Sequence, residues 1–236
     1  MSGHSKWSTI KRKKGINDQQ RSKIFTKMTR LITSAVHEGG NIADVENNFR
    51  LRLAIERAKS VNMPKDTIDR AIEKAAGGEG QPMKEILYEG FGPGGVALLI
   101  AATTDNTNRT YSEIKQLLDR NGGKLAGQHA VAYLFNKCGV VIFRKSDNTE
   151  EAVFAFGEGI GALDIEEDEE QYVVYIPFES IGKVKHLETD AKPQQIDIDY
   201  RPTTKVNVGE EAARITELTE KLAELDEVQT VYTNAD

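Results

Sequence analysis

The sequence predicts an α+β protein in which an N-terminal three-helix domain is followed by two ferredoxin-like α/β domains, the third domain being inserted into the second. Apolar residues recur at spacings of three and four over the first 76 residues, whereas later segments alternate short apolar runs with helical patterns. The elements predicted over 136–204 make one complete α/β unit of six elements. Those over 77–135 are too few for such a unit until the last elements of the chain are added. The predicted domains are 1–76 with its basic arm, the discontinuous 77–135 plus 205–236, and the inserted 136–204.

Three amphipathic helices form the first domain. The first is predicted over Asp18–His37 and ends at Gly39-Gly40, because glycine readily follows a helix C-terminus. The second covers Asn47–Asn62. The third begins with Pro64 in its first turn and stops at Gly77-Gly78. Their inward faces predict a core made partly of alanine, formed by Ile24, Met28, Leu31, Ile32, Ala35, Leu51, Ala54, Ile55, Ala58, Val61, Ile68, Ala71, Ile72 and Ala75.

The second domain opens with a predicted hairpin. Apolar runs over Ile86–Phe91 and Val96–Thr104 are joined by a segment rich in glycine, which is typical of a turn between two strands. A helix is predicted over Thr107–Asn121, and a further strand over Val131–Phe135. This set remains incomplete as an α/β unit.

The third domain has the order strand, helix, strand, strand, helix, strand, which describes a split βαβ sandwich of ferredoxin-like kind. Its predicted elements are Val140–Phe143, Glu150–Ile160, Leu163–Ile165, Tyr172–Ile176, a helix after Pro177, and Ile196–Tyr200. The chain ends with a strand, a helix and a strand over Lys205–Val208, Glu210–Leu225 and Val228–Tyr232. Because the third domain is already complete, these last elements are expected to finish the second.

Charge is distributed very unevenly along the chain. The whole protein has a net charge of −6, yet its first 30 residues contain nine Lys and Arg and one acid, Asp18. Residues 1–76 have a net charge of +8 and residues 77–236 a net charge of −14. Positive charge concentrated at one end of an acidic protein indicates a polyanionic partner that is held by that end.

The basic arm, residues 1 to about 17, and the first helix supply the predicted nucleic-acid contacts. Trp7 is the only tryptophan and lies among cations, which suits stacking on a base. Two alternatives stay open: a solvated basic tail, and a Trp7 that anchors the arm to the helical domain. The predicted binding residues are His4, Ser5, Lys6, Trp7, Lys11, Arg12, Lys13, Lys14, Arg21, Lys23, Lys27 and Arg30, of which Lys23, Lys27 and Arg30 are expected to face away from the helical core and to be free to reach a ligand.

Other motifs do not support catalysis. Gly90, Gly92 and Gly95 have the G-x-G-x-x-G spacing of a dinucleotide site, but an apolar strand rather than a helix follows them, which favours a turn. The acidic run 166–170 is typical of a solvated loop. The four histidines have no metal-ligand spacing, and the single Cys138 cannot form an internal disulfide. We therefore expect no enzyme, cofactor or metal; an enzyme acting in an interdomain cleft is a remote alternative.

No apolar run is long enough to span a membrane, and the N-terminus has no apolar signal segment, so a cytoplasmic protein without a membrane partner is expected. The sequence does not indicate an oligomeric state.

Five ordered motifs resemble the YebC/PmpR family over the whole chain. They are Gly3-His4-Ser5-Lys6-Trp7, Lys23-Ile24-Phe25-Thr26-Lys27, Asn62-Met63-Pro64, Tyr88-Glu89-Gly90-Phe91-Gly92-Pro93-Gly94-Gly95 and Thr104-Asp105-Asn106-Thr107-Asn108-Arg109-Thr110. The resemblance implies three domains with the third inserted in the second. It also implies regulation of gene expression, most directly as a DNA-binding transcriptional regulator that contacts promoter DNA.

The alternative implied by the same resemblance is a ribosome-associated translation factor that binds ribosomal or transfer RNA and assists synthesis of proline-rich stretches. The residues fit either partner. Gln19, Gln20 and Arg21 at the start of the first helix could read a duplex groove, whereas a Lys-rich arm with one aromatic residue suits the backbone of folded RNA.

Overall fold

The computed structural model describes residues 18–78 and 82–236. Its helices are α1 Asp18–Glu38, α2 Phe49–Ser60, α3 Lys65–Ala76, α4 Thr107–Arg120, α5 Glu150–Ile160 and α6 Ala212–Glu224. Its strands are β1 Lys84–Phe91, β2 Ala97–Thr104, β3 Lys124–Leu125, β4 Phe135–Arg144, β5 Asp164–Glu167, β6 Gln171–Pro177, β7 Gln195–Pro202 and β8 Val228–Thr233. The predicted fold class is confirmed: an N-terminal helical region is followed by two four-stranded antiparallel sheets.

The helical region is held together by its apolar faces and by one buried asparagine. Asn48 precedes α2, and its side-chain oxygen accepts a hydrogen bond from the Leu51 amide at 3.0 Å. Its side-chain nitrogen donates to the carbonyls of Ala35 and Ile42, both at 2.9 Å. One side chain therefore caps α2 and also fixes the loop after α1. The core between the three helices contains Met28, Ile32, Ala35, Val36, Leu51, Ala54, Ala58, Ile68, Ala71 and Ala75.

The first sheet has the strand order β3-β1-β2-β8. Its hairpin, β1 and β2, lies in the centre, and α4 and α6 lead to the two outer strands and pack on one face of the sheet. Tyr88 and Ile100 point to that face from opposite strands. Leu99 and Tyr232 point to the other face and pack against Val131 and Phe135. Both faces of this sheet are therefore covered by the chain.

The second sheet has the strand order β5-β6-β4-β7, which is the order of a split βαβ unit. Helix α5 and a 3-10 helix over Phe178–His186 cover one face, with Phe143 and Phe156 in edge-to-face contact at 4.9 Å. All strands of the first sheet lie before or after this unit in the sequence. A sheet whose strands come from both sides of another unit in the sequence is what an inserted domain would produce. The domain boundaries themselves stay a prediction.

Three predicted elements differ in the structure. The segment expected as a strand over Val131–Phe135 is a 3-10 turn over Ala132–Leu134, because the Glu89 carboxylate takes the amides of Val131 and Ala132 that a strand would use. The strand expected over Lys205–Val208 is reduced to one bridge between Val206 and Ala235. The helix after Pro177 is of the 3-10 type. Among the described residues, no helix has both the length and the apolar character needed to cross a membrane.

Candidate nucleic-acid interface

The predicted contact residues divide between two parts of the chain. Those of the arm lie outside the described residues: His4, Ser5, Lys6, Trp7, Lys11, Arg12, Lys13 and Lys14. The other four are on α1, where the structure shows their surroundings: Arg21, Lys23, Lys27 and Arg30. These four do not share one environment.

Arg21 and Lys23 lie near the N-terminal end of α1 with exposed side chains. Arg21 also borders a shallow depression that runs along the helix past Phe25 and Thr29. The Thr29 hydroxyl donates to the Phe25 carbonyl at 2.9 Å and is thus directed at its own helix. This end of α1 offers two cations that an external ligand can reach.

Lys27 is used inside the chain, so the expectation that it is free to reach a ligand is wrong. Its ammonium donates to the carbonyl of Ala223 at 2.5 Å and to the carbonyl of Val228 at 2.8 Å. Ala223 lies in the last turn of α6, where helix carbonyls lack partners and a cation is favourable. Burial lowers the pKa of Lys27 to about 8, with Arg57 and Lys23 acting in the same direction and Asp226 opposing.

Arg30 is also engaged, and the same expectation is wrong for it. Its guanidinium lies 2.8 Å from a carboxylate oxygen of Glu227, and Arg109 approaches the same oxygen at 3.1 Å. The Glu227 side chain is only 8% exposed, so this carboxylate depends on its two cations. Burial alone would raise the pKa of Glu227, but the hydrogen bonds from Arg30 and Arg109 outweigh it and hold the pKa below its ordinary value.

Further contacts join the helical region to the first sheet. Arg57 on α2 donates to the Thr230 hydroxyl at 3.0 Å. The Gln229 side chain donates to the Lys27 carbonyl at 3.3 Å. The Glu38 carboxylate accepts the Glu85 amide at 2.9 Å. Lys27 and Arg30 therefore belong to a polar interface that docks α1 and α2 against the first sheet.

Glu227 is not predicted from the sequence, because it lies nearly 200 positions from Arg30. The sequence holds only part of this network in a recognisable motif. Asp105 and Arg109 occur in one of the five motifs, and Arg109 also pairs with Asp105 at 2.6 Å. No spacing rule connects that motif to α1. The network becomes visible only when the sheet brings β8 beside β2.

A cleft of about 350 Å³ lies where the helical region meets both sheets. Arg50 borders it and pairs with Glu38 and, at 3.5 Å, with Glu85. The Lys137 ammonium lies 3.9 Å from the centre of the Phe178 ring. Within the part of the chain that the structure describes, no three His, Cys, Asp or Glu side chains are placed to hold a metal ion.

The pH dependence of stability tests the role of Lys27. Because its folded-state pKa of about 8 lies below the ordinary 10.5, the unfolded chain binds more protons between these values, and stability rises with pH there. The neutral amine keeps two N–H groups for its two carbonyl partners. Urea unfolding should show that the free energy of unfolding of wild type, relative to Lys27→Met, increases as the pH is raised through this range, by up to about 3 kcal/mol. The matched control is Lys65→Met, at an exposed lysine of α3; a constant difference between wild type and Lys27→Met would contradict the assignment.

Removing the charge of Glu227 tests the docking network. Glu227→Gln leaves Arg30 and Arg109 without a carboxylate between them, and we expect a loss of about 2 to 4 kcal/mol in unfolding free energy. Urea denaturation measures this loss, with Glu220→Gln at an exposed position of α6 as the control. Equal stability of the two variants would show that the network does not hold the regions together.

Comparison with known proteins identifies the family. The TACO1/YebC protein N-terminal domain matches residues 5–78, and the TACO1/YebC second and third domain matches residues 83–235. Proteins named probable transcriptional regulatory protein are 44% identical in Syntrophus aciditrophicus, covering 100% of this chain and 96% of that protein, and 43% identical in Borreliella burgdorferi, covering 99% and 97%. A crystal structure of a conserved hypothetical protein from Aquifex aeolicus has a TM-score of 0.85 at 38% identity and covers 98% of this chain and 97% of that one. The chain belongs to the YebC family.

Proposed function

We propose that this protein is a nucleic-acid-binding regulator of gene expression, acting in the cytoplasm as a DNA-binding transcriptional regulator. The observation that carries the proposal is the concentration of nine Lys and Arg against one acid in the first 30 residues of a chain with net charge −6. The relatives named probable transcriptional regulatory protein support the same role. The protein acts by binding rather than by catalysis.

The proposed contact set is narrower on α1 than the sequence suggested. The arm residues from His4 to Lys14 supply most of the charge, and Arg21 and Lys23 extend it onto the exposed end of the helix. Lys27 and Arg30 fix the position of that helix instead, since their cations already bind Ala223, Val228 and Glu227. On α1 the proposed phosphate contacts are therefore Arg21 and Lys23, and Trp7 stacks on a base.

A ribosome-associated factor that binds RNA is the second candidate. The observation that favours it is Trp7, the only tryptophan, within a Lys-rich segment. Shape and phosphate contacts dominate the recognition of folded RNA, and a single stacking aromatic is useful there. Both candidates use the same cations, so affinity for one type of nucleic acid does not separate them.

The salt dependence of binding tests the arm. Replacing Lys11, Arg12, Lys13 and Lys14 together by alanine should flatten the plot of log affinity against log salt by up to about 3.6 on duplex DNA, at about 0.9 per phosphate contact. Fluorescence anisotropy at several salt concentrations measures the slope. The control replaces four exposed lysines of the acidic body, at positions Lys115, Lys183, Lys192 and Lys205. If the arm variant keeps the wild-type slope, the arm does not contact phosphates.

Crosslinking in cells separates the two candidate partners. After ultraviolet crosslinking, the protein is purified and the attached nucleic acid is sequenced. We expect enrichment of particular promoter fragments, because a regulator of transcription occupies a limited set of sites on DNA. Recovery of ribosomal and transfer RNA instead would overturn the transcription role and establish the second candidate.

A further inference from the structure

The loop between β3 and β4 is held in place by a buried carboxylate. Glu89 on β1 is 6% exposed, and its two oxygens accept hydrogen bonds from the amides of His129 at 2.7 Å, Val131 at 2.7 Å and Ala132 at 2.8 Å. Hydrogen bonds to an ionised acceptor are stronger than those between neutral groups. The Glu89 carboxylate thus accepts the backbone amides that a neighbouring strand would otherwise bind, in a segment that has no regular strand pairing of its own within the described residues.

The electrostatics of Glu89 agree with this role. Burial alone would raise the pKa of its carboxyl, but the three amide hydrogen bonds, helped by His129, outweigh burial and hold the pKa below its ordinary value. His129 itself has a φ of 66°, in the left-handed region that non-glycine residues seldom occupy. The loop conformation is therefore unfavourable locally and is maintained by the contacts to Glu89.

The loop has an apolar underside and a polar, aromatic outer side. Val131 and Phe135 pack against Ala97 and Leu99 on the outer face of the first sheet. Tyr133, between them in sequence, is 73% exposed. Gln128 and His129 are exposed as well. The packing leaves these three side chains on a rigid support with no covering element among the described residues.

An exposed aromatic–cation pair lies at the same edge of the sheet. Phe91 on β1 is paired with Lys124 on β3, so both side chains point to the face that the loop covers. Both are exposed, Phe91 at 37%. We call Phe91, Lys124, Gln128, His129 and Tyr133 the Tyr133 surface.

The local charge is opposite to that of the surrounding chain. Residues 77–236 have a net charge of −14, whereas the five side chains of the Tyr133 surface include one cation, Lys124, and no carboxylate. Lys124 is exposed, so a phosphate can reach its ammonium group. The side chains of this surface therefore add no negative charge against a phosphate, and Lys124 attracts one.

We propose that the Tyr133 surface binds unpaired nucleotides of a single-stranded nucleic acid, with Tyr133 stacking on a base and Lys124 contacting a phosphate. The inference rests on the proposed nucleic-acid-binding function and adds unpaired bases to its ligands. Gln128 and His129 supply side-chain donors and acceptors for base edges. An exposed aromatic ring on a fixed loop, on one surface with a cation and polar side chains, matches how single strands are bound.

Oligonucleotide binding by the full-length protein tests the proposal. The probes are fluorescein-labelled oligouridine and oligothymidine of about 12 nucleotides, with a duplex of similar length for comparison. Tyr133→Ala should weaken binding of the single strands about 5-fold to 100-fold, the effect of losing one stacked base, and should leave duplex affinity unchanged. Tyr133→Phe, which keeps the ring, should bind like wild type. Phe154→Ala, at a 51% exposed aromatic on α5, is the matched control.

Two further variants separate stacking from charge and from loop position. Lys124→Ala should reduce the salt slope on a single strand by about 0.7, whereas Tyr133→Ala should leave that slope unchanged because it removes no phosphate contact. Glu89→Gln should weaken single-strand binding with Tyr133 still present, because a neutral amide with one acceptor oxygen cannot hold the three loop amides.

The outcomes distinguish this inference from the function on which it rests. Wild-type affinity of Tyr133→Ala for both single strands, or no binding of either strand by wild type, overturns the inference and leaves the surface to a protein partner. The proposed contact between the arm and phosphates is tested separately, by the salt dependence of binding to duplex DNA. Tighter wild-type binding of oligouridine than of oligothymidine identifies RNA as the source of the unpaired bases, and the reverse identifies DNA.

Discussion

The docking of α1 on the first sheet depends on one buried carboxylate. Glu227 accepts Arg30 from the helical region and Arg109 from α4, with the Lys27 ammonium bound to backbone carbonyls close by in the chain. A carboxylate that is 8% exposed is costly to bury without cations, so these groups require one another. Because α1 also carries the residues that continue the basic arm, this contact sets where the arm begins relative to the sheets.

Sequence periodicity was sufficient for the fold class but not for the docking. The spacing of Met28, Ile32 and Ala35 identifies the buried face of α1 whatever that helix packs against, since the 3.6-residue period is a local property. The opposite face of α1 is polar, and a polar helix face is ordinarily predicted to be exposed to solvent. For Lys27 this failed because its partners are carbonyls at Ala223 and Val228, and no side-chain pattern records a backbone acceptor some 200 residues away.

The error at Val131–Phe135 has a similar cause. Its apolar residues suit a strand, and Phe135 does begin β4. What the pattern could not show is that Glu89, in a glycine-rich motif typical of a turn, is buried and takes the amides of that segment. The glycines of the same motif have the spacing of a dinucleotide-binding site. In the structure its acidic residue, rather than its glycines, organises the neighbouring loop.

Net charge is therefore an incomplete guide to what the acidic body presents to a partner. Glu89, Asp197 and Glu227 are buried, and Glu166 and Glu167 form ion pairs with Arg201 and Lys145, so part of the negative charge is compensated within the chain. A partner meets the local field, which falls off within about 10 Å at moderate salt. On that length scale the exposed end of α1 presents Arg21 and Lys23, and the Tyr133 surface presents Lys124. Since α1 is docked on the same sheet that carries the Tyr133 surface, that sheet fixes the positions of these cations relative to one another. A nucleic acid that bound both surfaces, as proposed, would therefore be held in one orientation.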